Sequence, residues 1–234
     1  MSEYDPIATL YDPWSRSVVE DVDFYVEEAL AAGGPVVELG VGTGRIAVPI
    51  ARAGVRAIGV DASPGMLDVA RAAARAAGVE ALVDLRRGDM RSPPVRERVD
   101  LVVVPFRALL HMMTETDRLA ALEAARSVLR PGGKLIFDVF EPGADDIEAT
   151  HARWIEREPG IFERADWDSD ERTLTLSVRG HSGASTMVLA WLSPPEWHAL
   201  VEQAGFEIDA IYGWFDRRPY TGGEDVVFVA TRRG

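Results

Sequence analysis

The sequence predicts an α/β protein with a parallel sheet covered by helices on both faces, followed by an antiparallel β insert. Between Pro35 and Val139, short apolar runs alternate with longer stretches of helical period, which is typical of buried parallel strands joined by helices. After Glu141, apolar and polar residues alternate, which is typical of antiparallel strands. A glycine-rich turn at Gly40–Gly44, directly after the first apolar run, indicates a ligand site.

The residue pattern marks each element of the parallel part. The predicted strands are Pro35–Leu39, Val55–Val60, Ala81–Arg86, Val99–Val104 and Leu135–Val139. The predicted helices are Arg45–Ala53, Ser63–Ala77 and Glu115–Leu129. Glycine and proline are typical of helix ends. Gly78 therefore marks the end of the second helix, and Pro131-Gly132-Gly133 the end of the third.

The insert and the C-terminal part have their own signals. The predicted strands of the insert are Ile161–Asp166, Thr173–Arg179 and Ser185–Leu192. Asp168-Ser169-Asp170 supplies the turn of a β-hairpin. Ser193-Pro194-Pro195-Glu196 has the form of a capping box, so a helix is expected as far as Ala204. The last predicted strands are Phe206–Tyr212 and Asp225–Ala230.

Composition limits the classes of partner. The chain has 234 residues, of which 47% are hydrophobic and 27% charged, as in an ordinary globular domain. Its net charge of −13 disfavours nucleic acid, because phosphate binding requires lysine and arginine. It has no cysteine, no signal-peptide pattern, and no apolar run near the roughly 20 residues that cross a bilayer. A cytoplasmic protein without a membrane partner is expected.

The first strand leads into the central motif. Gly40, Gly42 and Gly44 form a G-x-G-x-G turn, in which glycine allows positive φ and a close approach of a ligand. Dinucleotide enzymes need G-x-G-x-x-G, where a helix N-terminus faces a pyrophosphate. Glu38, just before the turn, would repel a pyrophosphate but attract the ammonium or sulfonium of S-adenosylmethionine. The motif therefore favours that cationic cofactor.

Two more carboxylates follow the next strands. Asp61 ends the second strand, where it could accept hydrogen bonds from both hydroxyls of a ribose, a feature that NAD enzymes share. Gly88-Asp89-Met90 follows the third strand. The Asp89 carboxylate could accept a hydrogen bond from an adenine amine, with Met90 against the ring.

Together these residues resemble the class I S-adenosylmethionine-dependent methyltransferases, of the small-molecule type. Glu38–Gly44 is similar to that family's first motif, Asp61 to its ribose-binding acid and Gly88-Asp89-Met90 to its adenine-contacting motif. Asp100–Val104 resembles its fourth strand and Leu129–Leu135 the start of its fifth. The resemblance implies a doubly wound, mostly parallel seven-stranded sheet whose last strand is antiparallel, with the β insert near residues 150–192.

The resemblance also implies an organisation and a set of site residues. We expect one domain, divided into an N-terminal cap (1–34), a cofactor-binding core (35–140), a lid or insert (141–192) and a C-terminal helix with a strand pair (193–234). The implied cofactor-binding residues are Tyr11, Glu38, Gly40, Gly42, Gly44, Asp61, Ala62, Met66, Gly88, Asp89, Met90, Pro105 and Phe106. DNA and glutamine methyltransferases carry the motif Asn/Asp-Pro-Pro-Tyr/Phe after the fourth strand. This chain has Val104-Pro105-Phe106-Arg107 there, which disfavours a planar amide or a nucleic-acid base as the methyl acceptor.

The expected reaction is in-line transfer of a methyl group to N or O of a small-molecule acceptor. Alignment alone can lower such a barrier by roughly 7–11 kcal/mol, so no metal is required, and the four histidines lack the spacing of a metal site. The catalytic candidates are His111 as proton acceptor, Arg107 as anchor of an acceptor carboxylate or phosphate, and Tyr11, which with Tyr4 could close over the donor. Each of these side chains could instead serve packing or a surface ion pair.

Two other functions stay open from the residues alone. An NAD(P)-dependent reductase would need a hydride-transfer pair such as Tyr-x-x-x-Lys, and Lys134 is the only lysine. A non-catalytic S-adenosylmethionine-binding module would carry the same cofactor motifs as an enzyme. The pattern is compatible with a monomer or a homodimer.

Overall fold

The fold is built on a large mixed sheet and a smaller antiparallel sheet, seen in a computed structural model that describes residues 2–15 and 19–234. Met1 and residues 16–18, which belong to the predicted N-terminal cap, lie outside the described residues. The strands of the large sheet are β1 (Val36–Leu39), β2 (Ala57–Asp61), β3 (Val83–Arg87), β4 (Val99–Val104), β5 (Leu129–Phe140), β10 (Phe206–Tyr212) and β11 (Asp225–Arg232).

The large sheet has the strand order β10-β11-β5-β4-β1-β2-β3. Strands β1 to β5 pair in parallel, whereas β11 pairs antiparallel with both of its neighbours. The predicted seven-stranded sheet with an antiparallel last strand is therefore confirmed. The order in which successive strands are added to the sheet reverses between β1 and β4, and crevices that bind ligands form at such a switch point, beyond the carboxyl ends of the strands.

Helices cover both faces of this sheet. The described helices are α1 (Ala8–Trp14), α2 (Glu20–Ala32), α3 (Ala47–Arg52), α4 (Pro64–Ala76), α5 (Glu115–Val128), α6 (Ala144–Thr150) and α7 (Pro194–Gln203). Of these, α1 and α6 contact the insert, and the others pack on the large sheet. Successive β1 residues face opposite sides: Val36 belongs to the core under α2 and α3, and Val37 to the core under α5 and α7. Both faces are buried, which explains why the strands are apolar throughout.

The smaller sheet forms the insert. It contains β6 (Trp154–Glu158), β7 (Ile161–Asp168), β8 (Thr173–Gly180) and β9 (Gly183–Ala190), all paired antiparallel in chain order. Residues of β7 to β9 pack against Ile7 and Leu10 of the N-terminal segment. The insert therefore lies against the N-terminal segment, defined here as residues 2–15.

The structure differs from the predicted elements mainly where the sequence is polar. Strand β6 was not predicted, because Trp154–Glu158 is charged and mostly exposed, as suits the edge of a sheet. The helices α1, α2 and α6 were not predicted either. Strand β5 begins at Leu129, not Leu135, because Leu129 pairs with Val99 before the register shifts. None of the described helices is long and apolar enough to cross a membrane.

Candidate active site

The glycine-rich turn connects β1 to α3. Gly40, Gly42 and Gly44 all adopt positive φ, at 77°, 54° and 83°. A Cβ on Gly40 would lie 2.9 Å from the Cβ of Ala108, so this position has no room for a side chain. A Cβ on Gly42 would meet no atom of the described residues within 4 Å. The turn therefore leaves an open space in front of Gly42.

Asp61, at the end of β2, ties this turn to the start of α4. Its Oδ2 accepts a hydrogen bond from the Gly42 N–H at 2.8 Å, and its Oδ1 accepts one from the Ser63 N–H at 2.8 Å. Burial raises the pKa of the carboxyl. Each oxygen has a second lone pair, so the carboxylate keeps the capacity to accept hydrogen bonds from ligand hydroxyls.

Asp89 and Met90 follow β3 on the far side of the turn. The Asp89 carboxylate accepts hydrogen bonds from the Arg91 guanidinium, the shortest at 2.6 Å, and these lower its pKa. The Asp89 side chain is 41% exposed, so this acid lies at a rim and not in a closed pocket.

The N-terminal segment closes the space from the opposite side. The Asp5 Oδ1 accepts hydrogen bonds from the Ser63 hydroxyl at 2.6 Å and from the Gly65 N–H at 3.0 Å, at the start of α4. These contacts place Tyr4 and Tyr11 edge to face, with their ring centroids 5.8 Å apart. Both rings thus face the space in front of the glycine turn.

The loop after β4 has an unusual backbone that is held by a buried acid. Phe106 and Arg107 adopt positive φ of 56° and 62°, which is strained for residues with side chains. Asp138 of β5 accepts hydrogen bonds from both of their N–H groups, at 2.8 and 2.9 Å, and from the Tyr25 hydroxyl at 2.7 Å. Burial raises the pKa of Asp138 to about 6. Asp138 therefore stabilises the loop.

These elements enclose a cavity of about 200 Å³, which is called the donor cavity below. Its lining residues are Ser2, Glu3, Tyr4, Tyr11, Gly40, Gly42, Val60, Asp61, Ala62, Met66, Gly88, Asp89, Met90, Pro105, Phe106, Ala108, His111 and Met112. All of the implied cofactor-binding residues except Glu38 and Gly44 line this cavity. Their contact with the cofactor itself stays a prediction.

Glu38 and Gly44 lie outside this lining, for different reasons. Glu38 is only 2% exposed, and its Oε2 has no hydrogen-bond partner among the described residues. Burial raises its pKa well above the usual range, while the nearby Arg45 lowers it. A Cβ on Gly44 would meet Val48 and Ala70 at 3.3 and 3.4 Å, so this glycine allows close packing of α3 on α4. Contact of either residue with the cofactor therefore stays a prediction.

A second cavity of about 370 Å³ adjoins the first and is called the acceptor cleft below. The side chains that line both cavities are Tyr4, Tyr11, Phe106 and His111. The insert supplies much of the rest of the cleft, with Glu163, Trp167 and Leu176 among its lining residues. The four shared side chains therefore form the wall across which two bound molecules would meet.

The three catalytic candidates all line the acceptor cleft. His111 lies in the 3₁₀ turn Ala108–His111. Arg107 is engaged already, because its guanidinium pairs with Asp225 at 2.6 Å and lies over the Phe140 ring at 4.7 Å. An acceptor carboxylate would have to compete with Asp225 for this cation. Burial raises the pKa of Tyr11 far above its usual value, so its phenol stays protonated.

Some residues of the site were missed from the sequence. Ser2, Glu3, Ala108 and Met112 line the donor cavity, and no local pattern marks them. Asp138 did leave a signal, since it is an acid within the apolar run Leu135–Phe140. A buried charge is destabilising unless it is hydrogen-bonded, so an acid in a strand buried on both faces predicts hydrogen-bond donors nearby. The three donors to Asp138 fulfil this expectation.

The residues present fit S-adenosylmethionine better than a dinucleotide. Asp61 and Asp89 border the donor cavity, and Glu38 is buried behind the glycine turn. Carboxylates would repel a pyrophosphate but attract a sulfonium and an ammonium. The open space in front of Gly42 allows close approach of a ligand to the backbone.

Comparison with known proteins agrees with this geometry. A family model described as a methyltransferase domain matches residues 36–133. The cypemycin N-terminal methyltransferase of Streptomyces sp. is 26% identical over 212 residues, covering 86% of this chain and 84% of that protein. The CcbJ methyltransferase from Streptomyces caelestis is 26% identical, with 93% of this chain and 97% of that chain covered at a TM-score of 0.80.

A third comparison concerns the fold alone. CalS10, an amino pentose methyltransferase from Micromonospora echinaspora solved with S-adenosylmethionine bound, is 22% identical. The match covers 95% of this chain and 96% of that chain, with a TM-score of 0.70. Because the matched domain, the strand order and the cavity all agree, residues 36–133 form a methyltransferase domain of the class I S-adenosylmethionine-dependent type.

Proposed function

We propose that the chain transfers a methyl group to a nitrogen atom of a small-molecule acceptor bound in the acceptor cleft. The observation that carries the proposal is the wall of four side chains shared by the two cavities. S-adenosylmethionine, when bound, supplies a methyl group on a sulfonium that needs no further activation. The task of the protein is then alignment across this wall.

The lining of the cleft favours an amine over a hydroxyl. Aromatic rings of Tyr11, Phe140 and Trp167 face it, and the carboxylate of Glu224 lies in the same lining. Burial raises the pKa of Glu224, while Arg107 lowers it. Aromatic faces and carboxylates both attract ammonium groups. Two similar proteins are an N-terminal methyltransferase and an amino pentose methyltransferase. Both kinds of acceptor carry an amino group, which supports nitrogen as the acceptor atom.

The experiment is an acceptor screen that measures formation of S-adenosylhomocysteine. The panel pairs amines with the matching alcohols, and includes free amino sugars and short peptides with an unblocked N-terminus. We expect turnover of some amines and none of the matching alcohols. Turnover confined to alcohols would refute the nitrogen assignment, and no turnover of any small acceptor would refute the proposal.

The matched variants are Glu224→Gln and Glu141→Gln. Glu224 lines the cleft, whereas Glu141 lies outside its lining. We expect Glu224→Gln to raise the KM of an amine acceptor about tenfold, since a charge-assisted contact contributes about 1.5–3 kcal/mol. Glu141→Gln should leave KM unchanged. Equal effects of the two substitutions would show that Glu224 acts only through the general charge of the surface.

A further inference from the structure

The wall between the two cavities contains a chain of three polar side chains, joined by one hydrogen bond and one ion-pair contact, that reaches the protein surface. The Nε2 of His111 lies 2.8 Å from the Tyr4 hydroxyl, and its Nδ1 lies 3.2 Å from the Oε1 of Glu3. Tyr4 and His111 line both cavities, whereas the Glu3 side chain is 41% exposed. The chain therefore connects the meeting point of donor and acceptor with solvent.

The charge of Glu3 sets the direction of the Tyr4–His111 hydrogen bond. An ionised carboxylate 3.2 Å from Nδ1 of His111 favours the tautomer that carries its proton on Nδ1. In a neutral imidazole, Nε2 is then an acceptor. The Tyr4 hydroxyl consequently donates to Nε2. Burial raises the pKa of Tyr4 well above its usual value, so Tyr4 stays a phenol with a proton to pass on.

We propose that Tyr4, His111 and Glu3 form a proton relay that removes the acceptor's proton. This inference rests on the proposed transfer to nitrogen. When the nitrogen has gained its methyl group, its N–H proton moves to the Tyr4 oxygen and the Tyr4 hydroxyl proton moves to Nε2 of His111. The imidazolium then loses a proton to solvent on the Glu3 side. Tyr4 is the catalytic residue that touches the acceptor, His111 receives the proton, and Glu3 is a positioning residue.

Two parts of the fold hold the relay in place. Asp5 fixes the N-terminal segment to the start of α4, as described above. The Ser185 hydroxyl, on β9 of the insert, donates to the backbone carbonyl of Glu3. The insert thus positions the outer end of the relay. This gives the insert a role in the reaction beyond lining the cleft.

The charged and titratable groups that face the relay are few. Glu3 approaches His111 from the N-terminal segment, and Asp61 interacts electrostatically with the imidazole from the end of β2. Tyr11 of α1 and Asp61 both raise the pKa of Tyr4. The negative charges of Glu3 and Asp61 favour the imidazolium that forms during the relay.

The first test requires no acceptor. In protein with isotope-labelled histidine and bound S-adenosylhomocysteine, nuclear magnetic resonance reports which ring nitrogen of His111 carries the proton, with His111→Gln giving the assignment. We expect the Nδ1–H form, and we expect Glu3→Gln to raise the fraction of the Nε2–H form. An Nε2–H form in the wild type, or a tautomer fraction that Glu3→Gln leaves unchanged, would overturn the relay.

The second test uses an amine that the wild-type protein turns over. We expect Tyr4→Phe to lower kcat about 100-fold near neutral pH, the usual contribution of a positioned proton acceptor. Tyr4→Phe should still bind S-adenosylmethionine. Its loss of kcat relative to the wild type should become smaller as pH rises, because hydroxide can then accept the proton in place of the relay. Glu3→Gln should lower kcat at neutral pH and leave the KM for S-adenosylmethionine unchanged, whereas the exposed control Glu80→Gln should change neither. A loss in Tyr4→Phe that is constant with pH would show a packing role only.

The two proposals fail in different ways. If the wild type turns over no amine, the proposed function fails, while the resonance experiment still decides whether the hydrogen-bond direction is correct. If amines are turned over but Tyr4→Phe keeps full kcat at neutral pH, the relay fails and the proposed function stands.

Discussion

Replacement of Gly42 by alanine tests whether the donor cavity is the cofactor site. Gly42 has φ of 54°, and an added Cβ would project into the open space of the cavity without meeting a described atom within 4 Å. Left-handed backbone costs an alanine roughly 1–2 kcal/mol. Gly33, which ends α2, has a φ of 66° and the same free surroundings, but does not line the donor cavity. Gly33→Ala is therefore the control for backbone strain alone.

The size of the effect follows from ligand linkage. S-adenosylmethionine at 100 times its Kd stabilises the folded state by about 2.7 kcal/mol. If the Cβ of Gly42→Ala weakens binding 100-fold, the ratio of ligand to Kd falls to about 1 and the stabilisation to about 0.4 kcal/mol. For a chain of this length each kcal/mol moves Tm by about 2–4 °C. The ligand-induced shift should fall from about 5–11 °C to about 1 °C.

The assay is thermal unfolding of the wild type and both variants, with and without S-adenosylmethionine. Both variants should have a lower Tm without ligand, but only Gly42→Ala should lose the ligand-induced shift. A full shift in Gly42→Ala would refute the assignment of the cavity. Loss of the shift in both variants would show that general destabilisation explains the effect.

Three further substitutions test other parts of the site. Burial raises the pKa of Asp138 from 3.8 to about 6. The protonated carboxyl therefore stabilises the folded state fully below pH 3.8, and this stabilisation, about 3 kcal/mol, is lost as pH rises through 6. Urea unfolding at pH 5 and 7.5 should show that Asp138→Asn lacks this pH dependence, and an unchanged dependence would contradict it. Asp5→Ala removes the hydrogen bonds to α4 and should speed hydrogen exchange in the N-terminal segment about fivefold, as expected for about 1 kcal/mol; unchanged exchange would show that these bonds do not fix the segment. Arg107→Ala should raise the KM of acceptors that carry a carboxylate about tenfold, and an unchanged KM would remove Arg107 from acceptor binding.

The parts of the site that were predicted correctly are those that a short stretch of sequence determines. The G-x-G-x-G turn, Asp61 at the end of its strand and the Asp89 position each follow an apolar strand directly. Strand, turn and next helix are neighbours in the chain, so the local pattern fixes both the backbone and the direction of the side chain. The order and type of the core elements were predictable for the same reason.

The parts that were missed depend on contacts between distant residues. Glu3 and His111 are neighbours only because the N-terminal segment packs on the insert and on α4 at once. The burial of Glu38, which is 2% exposed, likewise depends on the packing around β1, and its contact with the cofactor stays a prediction. Side-chain direction in a strand buried on both faces cannot be deduced from charge alone.

We expect the insert to determine which acceptor the cofactor core serves. The floor of the donor cavity is built from turns that follow β1, β2 and β3, and these turns are fixed by the parallel sheet. The acceptor cleft depends on the insert and on the N-terminal segment, which contact each other through Ile7 and Leu10. A change in the insert can therefore alter the cleft and the outer end of the relay at Glu3 without disturbing Asp61 or the glycine turn. Acceptor specificity should accordingly respond to substitutions in β7 to β9 that leave binding of S-adenosylmethionine intact.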